Sequence, residues 1–458
     1  MITDTIAAIS SAMSPSGIGI VRISGADSMD LIGRIYRSKN GKKNIKMVDS
    51  HTIHYGHIMD GDTMVDEALV MIMKGPRTYT GEDTVEINCH GGVLSMKKVL
   101  ETVIKYGARP AEPGEFTKRA FLNGKLDLSQ AEAVMDVISA KSDYALKSSL
   151  SQLKGSVQRS IKGIREKLIY HIAYIESALD DPEHISVDGY GEDLEMDIRP
   201  IRREIEHLLR TSDEGKMIHE GIKTVILGKP NAGKSSLLNL LVGEEKAIVT
   251  DIAGTTRDIL EEHIMLHGIS LKMIDTAGIR DTEDTVEKIG VDRAKASAQD
   301  ADLILYVVDA SVPLDENDKG IIQLLKDKKA IVLLNKSDLD PVVHESMLKE
   351  MLDAPVLWIS AKEETGITEL EDTIKSLFFT GEINFNDEVY ITNIRHKTAL
   401  TEANNSLQLV LDSIEMGMPE DFYTIDLMSA YESLGRIIGE SVGEDLVNEI
   451  FSKFCTGK

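Results

Sequence analysis

The sequence predicts a multidomain protein of α/β and α class: an N-terminal α+β domain, a helical-bundle domain, and a P-loop α/β domain inserted into that bundle. Three observations predict this. The phosphate-loop pattern Gly228-Lys-Pro-Asn-Ala-Gly-Lys234-Ser235 stands midway along the chain, with three further loop motifs behind it. Apolar residues recur at helical spacing on both sides of that block, from Ser129 to Asp181 and again from Thr398 to Phe454. Ahead of them, up to about residue 121, short alternating runs between glycines read as strands. The divisions expected are 1–121, 122–219, 220–379 and 380–458.

Composition bounds the function. The 458 residues are 42% hydrophobic but 5% aromatic, so the cores are mainly aliphatic. No run approaches the ~20 apolar residues of a membrane span, and Met1-Ile-Thr-Asp-Thr-Ile lacks the basic-then-apolar order of an export signal. Cys89 and Cys455 stand far apart and make no disulfide framework. A cytoplasmic protein is expected, with no membrane partner. With 51 Lys and Arg against 76 Asp and Glu, the net charge is −25. Any RNA role must therefore use a local basic patch or a partner's surface; the acidity also aids solubility.

In the first domain, Ile18 to Ile23, Ala68 to Met73 and Thr84 to Asn88 read as strands, and Val93 to Tyr106 as a helix burying Val93, Met96, Val99, Leu100 and Val103. Glycines cluster around Arg77 to Asp83 and Cys89 to Gly92, where backbone approaches closely. His51, His54 and His57 do not converge as metal ligands, because on a strand His54 points away from the other two. Next, Leu146, Leu150, Leu153, Val157, Ile161, Ile164, Leu168, Ile172, Ile175 and Leu179 step by three or four, which predicts one unbroken helix of a bundle, stopped by Asp181-Pro182. A second helix is expected from about Asp193 to Thr211. Beyond residue 379 helical periodicity resumes at Thr398, Leu400, Ala403, Leu407, Leu411 and Ile414, then over Thr424–Ile438 and Gly443–Phe454.

The inserted block carries the chemistry. Thr224 to Leu227 reads as a strand and Ser236 to Val242 as a helix, so the loop between them can turn backbone N–H groups of Asn231, Ala232, Gly233, Lys234, Ser235 and Ser236 onto phosphates. Lys234 suits the outer phosphates and the Ser235 hydroxyl suits Mg²⁺. Asp275-Thr276-Ala277-Gly278 ends the run Ile269 to Ile274, which places its carboxylate beside the Mg²⁺ position. Asn335-Lys336-Ser-Asp338 ends the run Ala330 to Leu334, and Asp338 can accept from the ring N–H and exocyclic amine of guanine, which adenine does not offer. Ser360-Ala361-Lys362 follows Pro355 to Ile359 and can support the base through backbone N–H. Four loops at successive strand ends make a guanine-nucleotide domain with its ligand at the carboxyl edge.

Between these motifs lies Thr250-Asp251-Ile252-Ala253-Gly254-Thr255-Thr256-Arg257-Asp258. One loop threonine completes the Mg²⁺ shell, Thr256 by choice and Thr255 as the alternative. The position that often holds a water-orienting glutamine is Ile279, so catalysis comes from elsewhere. Nearby candidates are Arg257, Arg280, Asp281, Glu283, Asp284 and Glu287.

Taken together these residues identify a family. Gly19-Ile-Val-Arg-Ile-Ser-Gly25, Tyr79-Thr-Gly-Glu-Asp83, His90-Gly-Gly92, Pro113 to Asp127, the phosphate loop with Asn231, Gly254-Thr-Thr-Arg-Asp258, Asp275 to Arg280 and the terminal Cys455-Thr-Gly-Lys458 resemble the tRNA modification GTPases called MnmE or TrmE over the full length. Thr456 departs from the pattern, where the family has a bulky apolar residue. The resemblance implies a Ras-like GTPase domain, an N-terminal domain that binds 5,10-methylenetetrahydrofolate (or 5-formyltetrahydrofolate as an analogue), and a homodimer. It implies a heterotetramer with the FAD protein MnmG, and addition of an aminomethyl or carboxymethylaminomethyl group to C5 of the wobble uridine of certain tRNAs. Folate positions match Arg22, Glu86, Lys125 and Lys458. A K⁺ site matches Asn231, Thr250, Ile252 and Thr255, and Glu287 matches the water-activating carboxylate; Arg280, from the nearby candidates, is the second catalytic residue expected. Cys455 stays open between a nucleophile and a small thiol at the terminus. Two rivals remain: a folate-dependent aminomethyl transferase acting without tRNA, and a ribosome-associated GTPase of Era or Der type. An Era-like protein should end in a basic G-x-x-G module, whereas this tail is helical and acidic.

Overall fold

A computed structural model describes residues 4–39, 44–186, 189–244, 262–266, 268–274, 298–326, 328–379, 389–440, 442–455 and 457. The chain divides into two units, Met1–Met135 with Leu153–Asp180 and Leu427–Lys458, and Asp136–Gln152 with Asp181–Asp426. Elements run β1 (Ile6–Ile9), β2 (Ile18–Ser24), α1 (Ser28–Ile35), β3 (Tyr36–Ser38), β4 (Thr52–Asp60), β5 (Thr63–Met73), β6 (Thr84–His90), α2 (Val93–Lys105), β7 (Arg109–Pro110) and α3 (Glu115–Leu122). The helices α4 (Leu128–Ser139), α5 (Asp143–Leu153), α6 (Ser156–Asp180) and α7 (Tyr190–Glu220) follow. Then come β8 (Ile222–Leu227), α8 (Lys234–Glu244), β9 (Glu262–Leu266), β10 (Ile269–Met273), β11 (Leu303–Asp309), α9 (Glu316–Leu325), β12 (Ala330–Asn335), α10 (Glu345–Lys349), β13 (Val356–Trp358) and α11 (Ile367–Phe378). Helices α12 (Ile394–Glu415), α13 (Glu420–Ile438) and α14 (Glu444–Ser452) complete the described elements. None of these helices is long and apolar enough to cross a membrane.

In the first unit a sheet of order β3-β4-β5-β6-β2-β1-β7 buries Val21, Ile23, Val70, Ile72, Val85 and Ile87 in one cluster with Leu31, Ile32 and Ile35 of α1 and Met96, Val99 and Val103 of α2. Strand alternation sends the other residues outward, so Ile53, Tyr55 and Leu69 are exposed, with Tyr55 paired to Leu69 across β4 and β5. Helix α3 is held by a buried ionic knot. Arg119, 1% exposed, donates to the Asp4 carbonyl and carboxylate, both at 2.8 Å, and to Glu115 at 3.0 Å. Burial pushes the Glu115 carboxyl up, but hydrogen bonds from Arg109, the Glu112 N–H and Arg119 outweigh it and hold the group below its ordinary value.

The single helix expected from the stripe Leu146 to Leu179 is instead α5 and α6, separated by Lys154-Gly155, with Gly155 at φ +84. Upstream of Leu146 the helical pattern is broken again between α4 and α5. Leu146, Leu150 and Leu179 are exposed, and α5 buries Ala145, Ser148, Ser149 and Gln152. From Val157 to Ile175 the predicted stripe lies in the core. The second predicted helix is longer than expected. As α7 it runs 31 residues through exposed Pro200 to Glu220, because on a solvent side the carbonyl that proline cannot serve is left to water.

The second unit contains a sheet of order β13-β12-β11-β8-β10-β9, parallel except for the β9–β10 hairpin. This sheet lies in sequence between α7 and α12, so the P-loop domain is inserted between helices. The chain enters it through Gly221 at φ +84 and leaves through Val389 to Thr392. Exit and entry are tied together. Thr211 Oγ1 donates to the Val389 carbonyl at 3.1 Å, and Gln152 Nε2 donates to the Tyr390 carbonyl at 3.3 Å and to Thr392 Oγ1 at 3.1 Å. Beside them His219 Nε2 lies 3.1 Å from Asp136 Oδ1.

Candidate functional site

The nucleotide site begins with β8, central in its sheet between β11 and β10. At its carboxyl end the chain turns through Gly228 and Gly233 into α8, and both glycines are dictated by contact. A Cβ on Gly228 would stand 2.4 Å from the Val307 carbonyl oxygen, and one on Gly233 would stand 2.0 Å from Asn335 Nδ2. Gly233 also has φ +101, and Asn231 has φ +62. Lys234 Nζ donates to the carbonyls of Gly228 at 2.9 Å and Lys229 at 2.7 Å, and burial lowers its pKa. The glycine loop, the start of a helix and a half-buried lysine form a cradle for phosphate. Ser235 and Ser236 follow in the first turn of α8.

The base-side motifs meet this loop through one side chain. Asn335 ends β12, donates to the Ala232 carbonyl at 2.8 Å and accepts from the Ala361 N–H at 3.1 Å. It therefore fastens the phosphate loop to both the Asn335–Asp338 loop and the Ser360–Lys362 loop. Asp338 accepts from Ser360 Oγ at 2.8 Å and lies 3.9 Å from Lys362 Nζ, leaving carboxylate lone pairs for a donor-bearing base. Lys336, at φ +65, pairs with Asp309 at the end of β11.

Several partners here were not singled out from the sequence. Lys229 Nζ lies 2.6 Å from Asp318, which also accepts from Tyr306 at 2.8 Å and from the Asp315 N–H at 2.9 Å. Asp318 is 1% exposed, so the phosphate loop is staked to the first turn of α9. Pairing between positions so far apart leaves no signal in spacing, although Asp309 had one: it ends an apolar run of the sequence, as Asp275 and Asn335 do. Thr250, Asp251, Ile252, Ala253, Gly254, Thr255, Thr256, Asp275, Thr276, Ala277, Gly278, Arg280, Glu287 and Lys458 lie outside the described residues.

A second cluster forms on the N-terminal sheet. Arg22 and Glu86 are paired across β2 and β6, with Arg22 Nε 2.8 Å from Glu86 Oε1. The guanidinium stands 5.8 Å from the Tyr79 ring centroid and 5.6 Å from that of Phe116. Its Nη1 donates to the Gly457 carbonyl at 3.3 Å, and Ser10 Oγ donates to the same oxygen at 3.1 Å. Gly457 has φ +95, and a Cβ there would lie 2.4 Å from the Ile9 carbonyl oxygen. Helix α14 guides the tail inward: Phe451 stacks near Phe121 and Phe454, and the Gly114 N–H donates to the Cys455 carbonyl at 3.3 Å. The Cys455 side chain is exposed. Lys125 Nζ donates to the Pro76 carbonyl at 3.1 Å, on the loop before Tyr79. Arg22 and Glu86 are thus brought together with the tail, while Lys125 is engaged at that neighbouring loop.

Comparisons with known proteins agree on one assignment. Residues 5–125 match the model described as GTP-binding protein TrmE N-terminus, and residues 128–455 match that of the MnmE helical domain. The tRNA modification GTPase MnmE of Lachnoclostridium phytofermentans is 59% identical over 458 residues, covering 100% of both chains. Those of Clostridioides difficile and Bacillus subtilis are 48% and 47% identical, covering 100% and 99% of this chain and 100% of each relative. Full-length identity of this degree, on a P-loop domain set between helices behind a TrmE-type N-terminal sheet, leaves a single conclusion: the chain belongs to the MnmE family of tRNA modification GTPases.

Proposed function

We propose that this GTPase of tRNA modification spends GTP to install an aminomethyl or carboxymethylaminomethyl group at C5 of the wobble uridine, together with the FAD protein MnmG, in the cytoplasm. The one-carbon unit comes from 5,10-methylenetetrahydrofolate. In this reading residues 1–121 are the folate and dimerisation domain, 122–219 and 380–458 the helical domain, and 220–379 the GTPase domain.

In the GTPase domain, Lys234 and the loop N–H groups hold the phosphates, and Asp338 selects guanine with Ser360–Lys362 behind it. Mg²⁺ fits Ser235 with Thr256, next to Asp275, because a hydroxyl at the start of a helix on a glycine cradle is a hard oxygen donor. K⁺ fits Asn231 with Thr250, Ile252 and Thr255, whose amide, hydroxyl and carbonyl oxygens suit it; Asn231 stands at φ +62 in the loop. When bound, these cations would neutralise charge developing on the phosphates. Glu287 orients the attacking water and Arg280 supports it.

The observation that carries the folate reading is the Gly457 carbonyl held by Arg22 and Ser10, one residue before Lys458. A half-buried Arg–Glu pair between two aromatic rings suits a flat, N–H-bearing heterocycle with an anionic tail. Glu86 accepts pterin N–H groups, and Arg22, Lys125 and Lys458 take the carboxylates. The outward sheet face at Ile53, Tyr55 and Leu69 supports a homodimer, since an exposed apolar face marks an interaction surface. Deleting the last four residues tests the reading. By calorimetry with 5-formyltetrahydrofolate the truncated protein should lose folate binding while GTP binding persists; undiminished folate affinity would remove the tail from the site.

A further inference from the structure

In a chain of net charge −25, clusters of cations stand out. Two stretches are rich in them: Arg34–Lys46, with six Lys or Arg and no Asp or Glu, and Lys141–Lys167, with seven against two. In the first stretch several cations are already engaged. Lys46 pairs with Asp30 at 2.6 Å, Arg37 lies 3.9 Å from Asp62, and Lys39 sits 5.5 Å over the Tyr55 ring.

The second stretch differs at the start of α6. Arg165 is turned inward, bonded to Glu440 and stacked 3.9 Å over the Tyr431 ring. Lys154, Arg159 and Lys162 are exposed, and none of them forms an ion pair among the described residues. Arg159 Nη1 donates to the Lys154 carbonyl at 2.7 Å, which holds the guanidinium over the Gly155 turn. Lys162 follows three residues later, hence on the same side of the helix. The first turn of α6 contains no acidic residue. Glu166 is the acid on this face, and it makes no ion pair with Lys162 among the described residues. Exposed Tyr170 lies one turn further on.

This placement works against the helix. Cations near an N-terminus oppose the macrodipole, and like charges three residues apart repel. A local arrangement that costs stability fits a surface completed by an anion. We infer that Lys154, Arg159 and Lys162 form a docking surface for the phosphodiester backbone of tRNA. The inference rests on the tRNA-modification reading and adds where the acidic chain itself grips RNA. Lys154 in the turn, with Arg159 and Lys162 on the helix face that follows it, match a row of phosphates. They read no sequence, so the contact positions the RNA and leaves base choice to other groups.

The test uses the full-length protein and an unmodified tRNA transcript, with affinity measured at several salt concentrations. The triple variant Lys154→Ala, Arg159→Ala, Lys162→Ala should bind roughly 10- to 100-fold more weakly at low salt, and its log–log salt slope should fall by about 2 to 3, near one unit per lost phosphate contact. GTP hydrolysis without tRNA should be unchanged, and the melting temperature unchanged or raised, because repulsion at the helix start is relieved. A matching variant of the other stretch, Arg34→Ala, Lys42→Ala, Lys43→Ala, should retain its affinity and slope. Normal tRNA binding by the α6 variant overturns the inference and leaves the tRNA-modification reading intact; loss confined to the Arg34–Lys43 variant does the same. Wild-type protein that binds no tRNA would overturn both. An α6 variant that binds tRNA normally but no longer associates with the FAD protein would reassign the face to an acidic protein surface.

Discussion

Gly233 has no side chain, yet its position decides whether three loops meet. Asn335 Nδ2 reaches the Ala232 carbonyl at 2.8 Å through space that a Cβ on Gly233 would fill. Gly233→Ala should break that hydrogen bond, strand a buried amide and strain a positive φ. Nucleotide affinity should fall on the order of 100-fold, from about 2 to 3 kcal/mol of lost bonding; fluorescent-nucleotide titration checks it, and near-normal affinity would mean that Asn335 is not the fastener. Glu287 should behave differently. As a water-orienting group it contributes to the transition state, so Glu287→Ala should bind GTP normally and hydrolyse it roughly 10² to 10⁴ times more slowly. Glu283→Ala should stay close to wild type, and equal turnover of the two variants would show the wrong carboxylate was chosen. Residues of the first kind are legible in a sequence, because a backbone turning onto phosphate demands glycine at fixed intervals. Lys229, Tyr306 and Asp318 are not, because their pairing is made by the sheet that brings β8 and β11 together.

At the level of elements, the sequence identified strands by alternation and the P-loop by its strand–loop–helix setting, and it overran at helix breaks. The stripe from Leu146 to Leu179 keeps helical spacing across Gly155, yet the turn changes the buried face, leaving Leu146 and Leu150 of α5 exposed while Val157 to Ile175 lie in the core, and spacing alone does not register that change. Helix α7 shows the opposite error: expected from about Asp193 to Thr211, it runs from Tyr190 to Glu220 and packs on α12, where Arg202 Nε donates to Asn404 at 3.1 Å. The end of α7 carries a titratable pair. The Asp136 carboxylate raises the His219 pKa above the ordinary histidine value, Glu220 adds to this, and burial and Lys141 oppose it. A raised folded-state pKa gives stability that is fully present below the unfolded value near 6.5 and lost as pH rises through the folded value. Thermal unfolding should therefore show a loss on the order of 1 kcal/mol above that range. Asp136→Asn should flatten this dependence; an unchanged pH profile in that variant would place the titration elsewhere.

For the whole molecule, the outward face of the N-terminal sheet is the proposed assembly surface, and the returning tail closes the proposed folate site. Leu69→Glu puts a charge opposite Tyr55 on the proposed homodimer surface. Sedimentation should show a monomer with unimpaired GTP hydrolysis per chain at low K⁺, and an intact dimer would move the interface away from β4 and β5. Closure of the tail was legible only through family resemblance, because residues 10 and 457 share no local pattern. That closure has a consequence in time. Synthesis runs from Ile9 and Arg22 toward Gly457, so the first strands leave the ribosome while more than four hundred residues remain to be added. At roughly 5 to 20 residues per second, the proposed folate site waits roughly 20 to 90 s for its final wall. A chain interrupted anywhere after the P-loop domain would emerge as a nucleotide-binding protein with its one-carbon site open, and only a finished chain would couple the two.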